Sequence, residues 1–180
     1  MPSGAAVRRY AQAVFEMANE QGTLDRWERD LGALAGAFDD PAVVSYFDSP
    51  QIPANQKRET AYKLLGAEAL PLSRNFIGLL IERGRIRYLP QIYLDFHDRM
   101  LERRGIAVGE VTTAVPLGPE ELEIVRKRLG AVVGRDIEIR ASVDPQIIGG
   151  IVARVGDQLI DGSVIGQLRK LRERLVSAER

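Results

Sequence analysis

One stretch decides the fold of this chain: Gly149-Gly150-Ile151-Val152-Ala153-Arg154-Val155-Gly156-Asp157-Gln158-Leu159-Ile160-Asp161-Gly162-Ser163. Its β-branched residues favour two short strands, and Val155 to Gln158 supply the turn between them. The paired glycines before the first strand allow another backbone segment to approach closely. Asp161-Gly162 ends the second strand, and Ser163 is placed to cap a helix. The stretch therefore predicts two strands and a helix in succession, without residues suited to catalysis.

The helix predicted after Ser163 has an apolar stripe and a basic side. The stripe residues follow one another at spacings of four, three and four residues, which places them on one face that we expect to cover the small sheet; they are Val164, Leu168, Leu171 and Leu175. The basic side carries Arg169, Lys170, Arg172 and Arg174. Such a basic side is more often solvated surface.

Working back from this stretch, residues 5 to 104 have helical periodicity throughout and predict a six-helix bundle. We expect Thr23 to cap the second helix, Pro41 to open the third, and Gly66 to end the fourth. The sixth helix is predicted to begin near Ile86 and to stop at Gly105.

From Gly105 the apolar pattern changes to the period of a strand. Strands are predicted at residues 106–115 and 137–143, with a helix between them that begins near Pro119 and ends at Gly130. The predicted fold is thus α+β, with a helical bundle over residues 1–104 and a small α/β domain, of a short sheet and two helices, over residues 105–180.

Composition narrows the classes of function. The chain has 180 residues, 25 basic and 25 acidic, and each predicted domain is itself neutral, which argues against a general polyanion binder. With no cysteine and one histidine, thiolate chemistry is excluded and a typical zinc site is not expected. The sequence has neither a signal-peptide core nor a long apolar run, so we expect a cytoplasmic protein without a membrane span.

The residues that could carry chemistry are better explained by structure. Glu120, Glu121 and Glu123 lie at a helix start, where they complement the helix dipole, and no base accompanies them. His97 is a lone imidazole on the sixth helix. The glycines of the quoted stretch match no phosphate-binding motif. Trp27 belongs to a core stripe, with an interface anchor as the alternative.

Small residues on the first and fifth helices allow a groove. Ala11, Ala13 and Ala18 are spread around the first helix and Gly78 precedes Leu79 on the fifth, so a neighbouring helix could approach closely. Tight packing within the bundle is the other interpretation of the same residues.

Several segments together resemble one known family. They are residues 149–163, Arg9-Tyr10-Ala11-Gln12-Ala13-Val14-Phe15, Leu24-Asp25-Arg26-Trp27, Asn75-Phe76-Ile77 and Glu82-Arg83-Gly84-Arg85. In this order they resemble the delta subunit of the F-type ATP synthase, the bacterial counterpart of the mitochondrial oligomycin-sensitivity-conferring protein. The resemblance covers nearly the whole chain.

The resemblance implies a non-catalytic connector in the peripheral stalk, at the cytoplasmic face of the bacterial membrane. It implies that residues 1–104 bind the N-terminal helix of an alpha subunit and residues 105–180 bind the b subunit. The matching positions suggest Tyr10, Ala13, Val14, Met17, Asn75, Leu79 and Glu82 for the alpha subunit, and Arg169, Lys170, Arg172 and Arg174 for the b subunit. The residues Gly149, Gly150, Gly156, Asp157, Asp161, Gly162 and Ser163 have a structural role. No cofactor is expected, and a nucleic-acid-binding adaptor that uses the basic last helix is the alternative.

Overall fold

A computed structural model describes residues 4–166 and residue 168. The chain divides into two compact units between Met100 and Leu101. This division falls within the helix Leu89–Arg103, slightly before the boundary expected at Arg104-Gly105. The fold is α+β, since helices fill the first unit and a mixed sheet with one long helix forms the second.

The first unit contains six α-helices in its described residues, with a short 3-10 helix before the last. They are α1 (Gly4–Glu20), α2 (Leu24–Ala37), α3 (Pro41–Asp48), α4 (Ala54–Leu65), α5 (Pro71–Glu82) and α6 (Leu89–Arg103). The sixth helix was expected from Ile86, but Ile86–Tyr88 form the 3-10 turn and α6 begins at Leu89, with Pro90 in its first turn. Proline has no N–H to donate, so it is tolerated there.

Two helix starts in this unit show which caps form. The Asp40 carboxylate accepts a bond from the Ala42 N–H at 2.8 Å, and Pro41 takes the first helical position of α3. The cap expected from Thr23 is wrong, because its side chain makes no capping bond to α2. The Thr23 hydroxyl donates instead to the Ala18 carbonyl at 3.5 Å, which ties the end of α1 to the turn that follows.

One apolar core holds the first unit together. Trp27 is fully buried there, edge-on to Phe76 of α5, which supports the core interpretation of this residue over an interface anchor. The core also contains a buried carboxylate, since Asp30 accepts a hydrogen bond from the Leu70 N–H at 3.0 Å. This bond joins α2 to the segment that leads into α5.

The second unit contains four strands and one long helix in its described residues. They are β1 (Ala107–Thr113), α7 (Pro119–Val133), β2 (Ile137–Val143), β3 (Ile151–Val155) and β4 (Gln158–Asp161). The sheet order is β2-β1-β3-β4, with β1 parallel to β2 and the other pairs antiparallel. Its apolar core is small and consists of Val111, Leu129, Ile137, Ala153 and Val155, surrounded by partly buried residues.

Two expectations for this unit are wrong. Helix α7 does not end at Gly130 but continues to Val133, and Gly134 ends it with a left-handed backbone, φ 73°. The apolar stripe after Ser163 was expected to lie on the sheet, yet Val164 and Leu168 are 41% and 60% exposed. The remaining stripe residues, Leu171 and Leu175, lie outside the described residues.

Among the described residues, no helix combines the length and the apolar character that a membrane span would need.

Candidate functional site

Tyr10 joins the first helix to the fifth. Its ring lies edge-on to Phe76, with the centroids 6.1 Å apart. Arg85, in the turn after α5, donates from Nη1 to the Tyr10 hydroxyl at 2.6 Å, and its guanidinium carbon lies 5.7 Å from the ring centroid. Helices α1 and α5 are therefore neighbours at the surface, and Arg85 is held beside their contact.

Two leucines are exposed on the outer side of α5. Leu72 and Leu79 are 36% and 39% exposed, and Asn75 between them is exposed as well. These positions are three and four residues apart, so they share one face of the helix. An apolar helix face left open beside a second helix suits the binding of a further amphipathic helix.

Helix α1 contributes a smaller part of this surface than the sequence suggested. Ala13 is exposed, and Tyr10 and Met17 are half-buried. Val14 was predicted to contact the alpha subunit, but it is only 2% exposed and belongs to the core of the first unit. We refer to the remaining predicted residues together as the α1–α5 face: Tyr10, Ala13, Met17, Asn75, Leu79 and Glu82.

The small residues serve mainly the packing of the unit itself. Ala11 and Ala18 are fully buried in the core. A Cβ at Gly78 would lie 3.1 Å from the Tyr62 hydroxyl of α4, so this glycine makes room for α4 and not for α1. Sequence reasoning missed this neighbour, because helical periodicity does not say which helix packs against a glycine.

Glu82, at the edge of the α1–α5 face, contacts α4. Its carboxylate accepts a hydrogen bond from Arg58 Nη1 at 3.0 Å, and both side chains are about half exposed. The charge of this predicted partner-binding residue is therefore matched within the protein. Neither Arg58 nor Arg85 had been assigned a role from the sequence, although Arg85 lies in one of the segments that carry the resemblance.

The glycine-rich stretch of the second unit is a tight backbone crossing. Gly150 has φ 85°, and a Cβ there would lie 2.5 Å from the Gly162 carbonyl oxygen and 2.9 Å from the Ser163 Cα. The crossing is closed by two backbone bonds, from the Gly162 N–H to the Ile151 carbonyl and from the Val164 N–H to the Gly149 carbonyl. The close approach predicted from the paired glycines is thus confirmed.

Ser163 caps the turn that follows. Its hydroxyl accepts from the Gly166 N–H at 3.0 Å, and Asp161 Oδ1 accepts from the Ser163 N–H at 2.9 Å. The Gly156-Asp157 turn joins β3 to β4, as the sequence predicted. The Asp161 carboxylate and the Ser163 hydroxyl each accept a hydrogen bond from a backbone N–H, as side chains in a structural turn motif do.

The predicted b-subunit residues lie outside the described part of the chain: Arg169, Lys170, Arg172 and Arg174. The structure shows exposed apolar side chains at positions that precede these residues in sequence. Ile148 is 77% exposed, and Val164 lies 3.4 Å from the position that a Cβ of the adjacent Gly149 would take. Val164 and Leu168, one helical turn apart in sequence, are exposed too.

Two of the three acidic residues of α7 have structural partners. Glu121 accepts from the Gly118 N–H at 2.8 Å and so closes the helix start. Glu123 accepts from Arg126 Nε at 2.8 Å and Nη2 at 2.7 Å. These hydrogen bonds, with the charges of Arg126 and Lys127, lower the pKa of Glu123 to about 2, so this carboxylate is no general acid near neutral pH.

His97 is also engaged within the protein. Its Nδ1 lies 2.6 Å from Glu28 Oε1 of α2, and the imidazole packs beside the ring of Tyr93. This contact joins α2 to α6, which fits the expectation that His97 is a half-buried residue of the helical unit.

The sequence matches the family described as ATP synthase delta (OSCP) subunit over residues 6–175. It is 36% identical to the ATP synthase subunit delta of Symbiobacterium thermophilum, covering 99% of this chain and 97% of that protein. It is 39% identical to the subunit delta of Heliobacterium modesticaldum, covering 98% and 96%.

A solved structure shares the fold. One chain in the cryo-EM structure of the Toxoplasma gondii mitochondrial ATP synthase hexamer superimposes with a TM-score of 0.67 at 24% identity, covering 94% of this chain and 97% of that one. With the match to the family over residues 6–175, the sequence relatives decide the assignment. This chain belongs to the ATP synthase delta (OSCP) subunit family.

Proposed function

We propose that this protein is a non-catalytic subunit of the peripheral stalk of an F-type ATP synthase. In this role it connects the catalytic head to the membrane-anchored b subunits, at the cytoplasmic face of the membrane, and resists rotation of the head. Membership in the delta (OSCP) family supports this role. The Glu121 and Glu123 carboxylates of α7 are engaged in helix capping and ion pairing, which fits a structural function.

We further propose that residues 1–104 act as one six-helix bundle whose α1–α5 face binds the N-terminal amphipathic helix of an alpha subunit. The observation that carries this proposal is the exposure of Leu72 and Leu79 on α5, a helix that the Tyr10–Phe76 contact joins to α1. Burial of an apolar helix face gives slow dissociation, and a stator contact must persist under load.

The test uses a bulky residue on α1. In an Ala13→Trp variant of the full chain, the indole would occupy space that the incoming helix needs, while the exposed position leaves the core intact. Asn19→Trp is the matched control, because Asn19 is exposed on a different side of α1. We expect at least tenfold weaker binding of an alpha-subunit N-terminal peptide for Ala13→Trp alone, measured by calorimetry. Equal affinities in the two folded variants would refute the assignment.

Residues 105–180 are proposed to bind the b subunit. The basic residues of the last helix suit an acidic helical partner, and the exposed aliphatic residues Ile148, Val164 and Leu168 offer apolar contact next to them in sequence. Reversing Arg169 and Arg172 to Glu should slow association with b and leave alpha-peptide binding unchanged. Surface plasmon resonance at low and high salt tests this. If neither the charge reversal nor the salt concentration alters binding of the b subunit, the contact lies elsewhere.

A further inference from the structure

The α1–α5 face carries a fixed positive charge at one end. Arg85 bonds to the Tyr10 hydroxyl at 2.6 Å and packs over its ring, so its guanidinium is held at the face although the side chain is exposed. Guanidinium groups stack well on aromatic rings and retain free donors for a carboxylate. A cation that is already oriented loses little side-chain entropy when a partner binds.

In the part of the chain that the structure describes, no carboxylate is paired with Arg85. Glu82, the carboxylate on the α1–α5 face, is paired with Arg58 at 3.0 Å. Arg83 is exposed at the end of α5, one helical turn after Leu79. Within residues 4–166, neither Arg83 nor Arg85 has a carboxylate at salt-bridge distance, in contrast to Arg58.

The charges of α1 differ between its two halves. Its first half carries Arg8 and Arg9, next to Tyr10, and its second half carries Glu16 and Glu20. Glu16 accepts a hydrogen bond from Gln12, away from the Tyr10–Arg85 contact. The first half of α1, which includes Tyr10, is therefore basic in sequence, and its second half is acidic.

We propose that Arg85, held on Tyr10, is a specificity-determining residue of the α1–α5 face, and that the helix that docks there presents a carboxylate to it. The partner is thus an amphipathic helix with an acidic turn beside its apolar stripe. This inference rests on the proposed function, since it assumes that the face binds a helix. Arg83 contributes a second, unspecific cation, while Tyr10 positions Arg85.

The experiment compares two forms of one peptide on the full-length protein. The first is the alpha-subunit N-terminal peptide, and the second is the same peptide with every Glu changed to Gln and every Asp to Asn. Fluorescence anisotropy at low salt should show the acidic form binding about three- to tenfold more tightly, in the range of one or two exposed charge pairs. The difference should nearly vanish at about 1 M salt, where the screening length is about 3 Å.

Variants of the protein assign the effect to Arg85. Arg85→Gln should abolish the preference for the acidic peptide while leaving affinity for the amide form unchanged. Tyr10→Phe, which keeps the ring and removes the hydroxyl, should reduce the preference. Arg29→Gln, an exposed arginine on α2, is the control that removes the same charge and should leave the preference intact.

The possible results distinguish a wrong role for Arg85 from a wrong assignment of helix binding to the face. If the acidic and amide peptides bind the wild-type protein equally, the inference about Arg85 is wrong and helix binding at the face stands. If Arg29→Gln reduces the preference as much as Arg85→Gln, only the overall charge matters and the inference is also wrong. If the natural peptide does not bind at all, the proposed function of the face fails, and the inference fails with it.

Discussion

The backbone crossing at Gly150 gives the sharpest prediction for the stability of the second unit. A methyl group added by Gly150→Ala would meet the Gly162 carbonyl oxygen at 2.5 Å and the Ser163 Cα at 2.9 Å. Both are backbone atoms, so relief requires the strand and the crossing segment to separate. The backbone at φ 85° is itself unfavourable for alanine.

The size of the effect follows from these two contributions. Left-handed backbone at a non-glycine residue costs about 1 to 3 kcal/mol, and forcing extra volume into a packed site costs about 1 to 3 kcal/mol more. We therefore expect Gly150→Ala to destabilise the second unit by about 4 kcal/mol. A unit of about 80 residues has about 4 to 12 kcal/mol of total stability, so this change could unfold much of it.

Gly156→Ala is the matched control. Gly156 lies in the turn between β3 and β4 with φ 56°, and a Cβ there would have no neighbour within 4 Å. Only the backbone conformation is unfavourable, so the expected cost is about 1 kcal/mol. The difference in unfolding free energy between the two variants measures the cost of the steric clash at the crossing, apart from the cost of the left-handed backbone.

The assay is hydrogen exchange resolved by mass spectrometry. The amides of Gly162 and Val164, bonded to the Ile151 and Gly149 carbonyls, report the crossing directly. A loss of 4 kcal/mol should accelerate their exchange about a thousandfold, against about fivefold for Gly156→Ala. The fluorescence of Trp27, the single tryptophan of the chain, monitors the first unit and should not change. Equal exchange in the two variants would refute the crossing argument.

Three further changes probe individual hydrogen bonds. Ser163→Ala removes the hydroxyl that accepts from a helix N–H and should lower second-unit stability by about 1 kcal/mol in urea unfolding followed by NMR. An unchanged unfolding midpoint would contradict this capping role. Asp30→Ala leaves the Leu70 N–H without its buried partner and should lower first-unit stability by about 1 to 3 kcal/mol, read by tryptophan fluorescence; a smaller loss would mean that water replaces the carboxylate. Arg126→Gln should raise the pKa of Glu123 from about 2 toward its ordinary value in a carboxyl NMR titration. Because that pKa is lowered in the folded state, any stabilisation by the pair is present above the ordinary carboxyl pKa and lost as the pH falls toward 2. An unchanged titration curve would contradict the assigned hydrogen bonds.

Most elements of the fold follow from local sequence rules. The strand Ile137–Val143 was predicted with the observed bounds because its apolar residues alternate, and the turn at Gly156 follows from residues that favour it. The errors have local causes as well. Gly130 was expected to end α7, but a glycine inside a helix costs only about 1 kcal/mol, and the left-handed Gly134 provides the actual end.

The candidate sites also combine features that the sequence predicts with features that only packing between helices sets. The sequence alone indicated the family, from segments that follow one another in order along nearly the whole chain. It also predicted most helices and strands and the motif around Gly150, because each of these depends on residues close together in the chain. Only the tertiary structure decided that Val14 is in the core, that Gly78 faces Tyr62 of α4, and that Arg85 is held on Tyr10, 75 residues away in sequence. Helical periodicity tells which residues share a face, but the neighbour of that face is set by packing among all the helices.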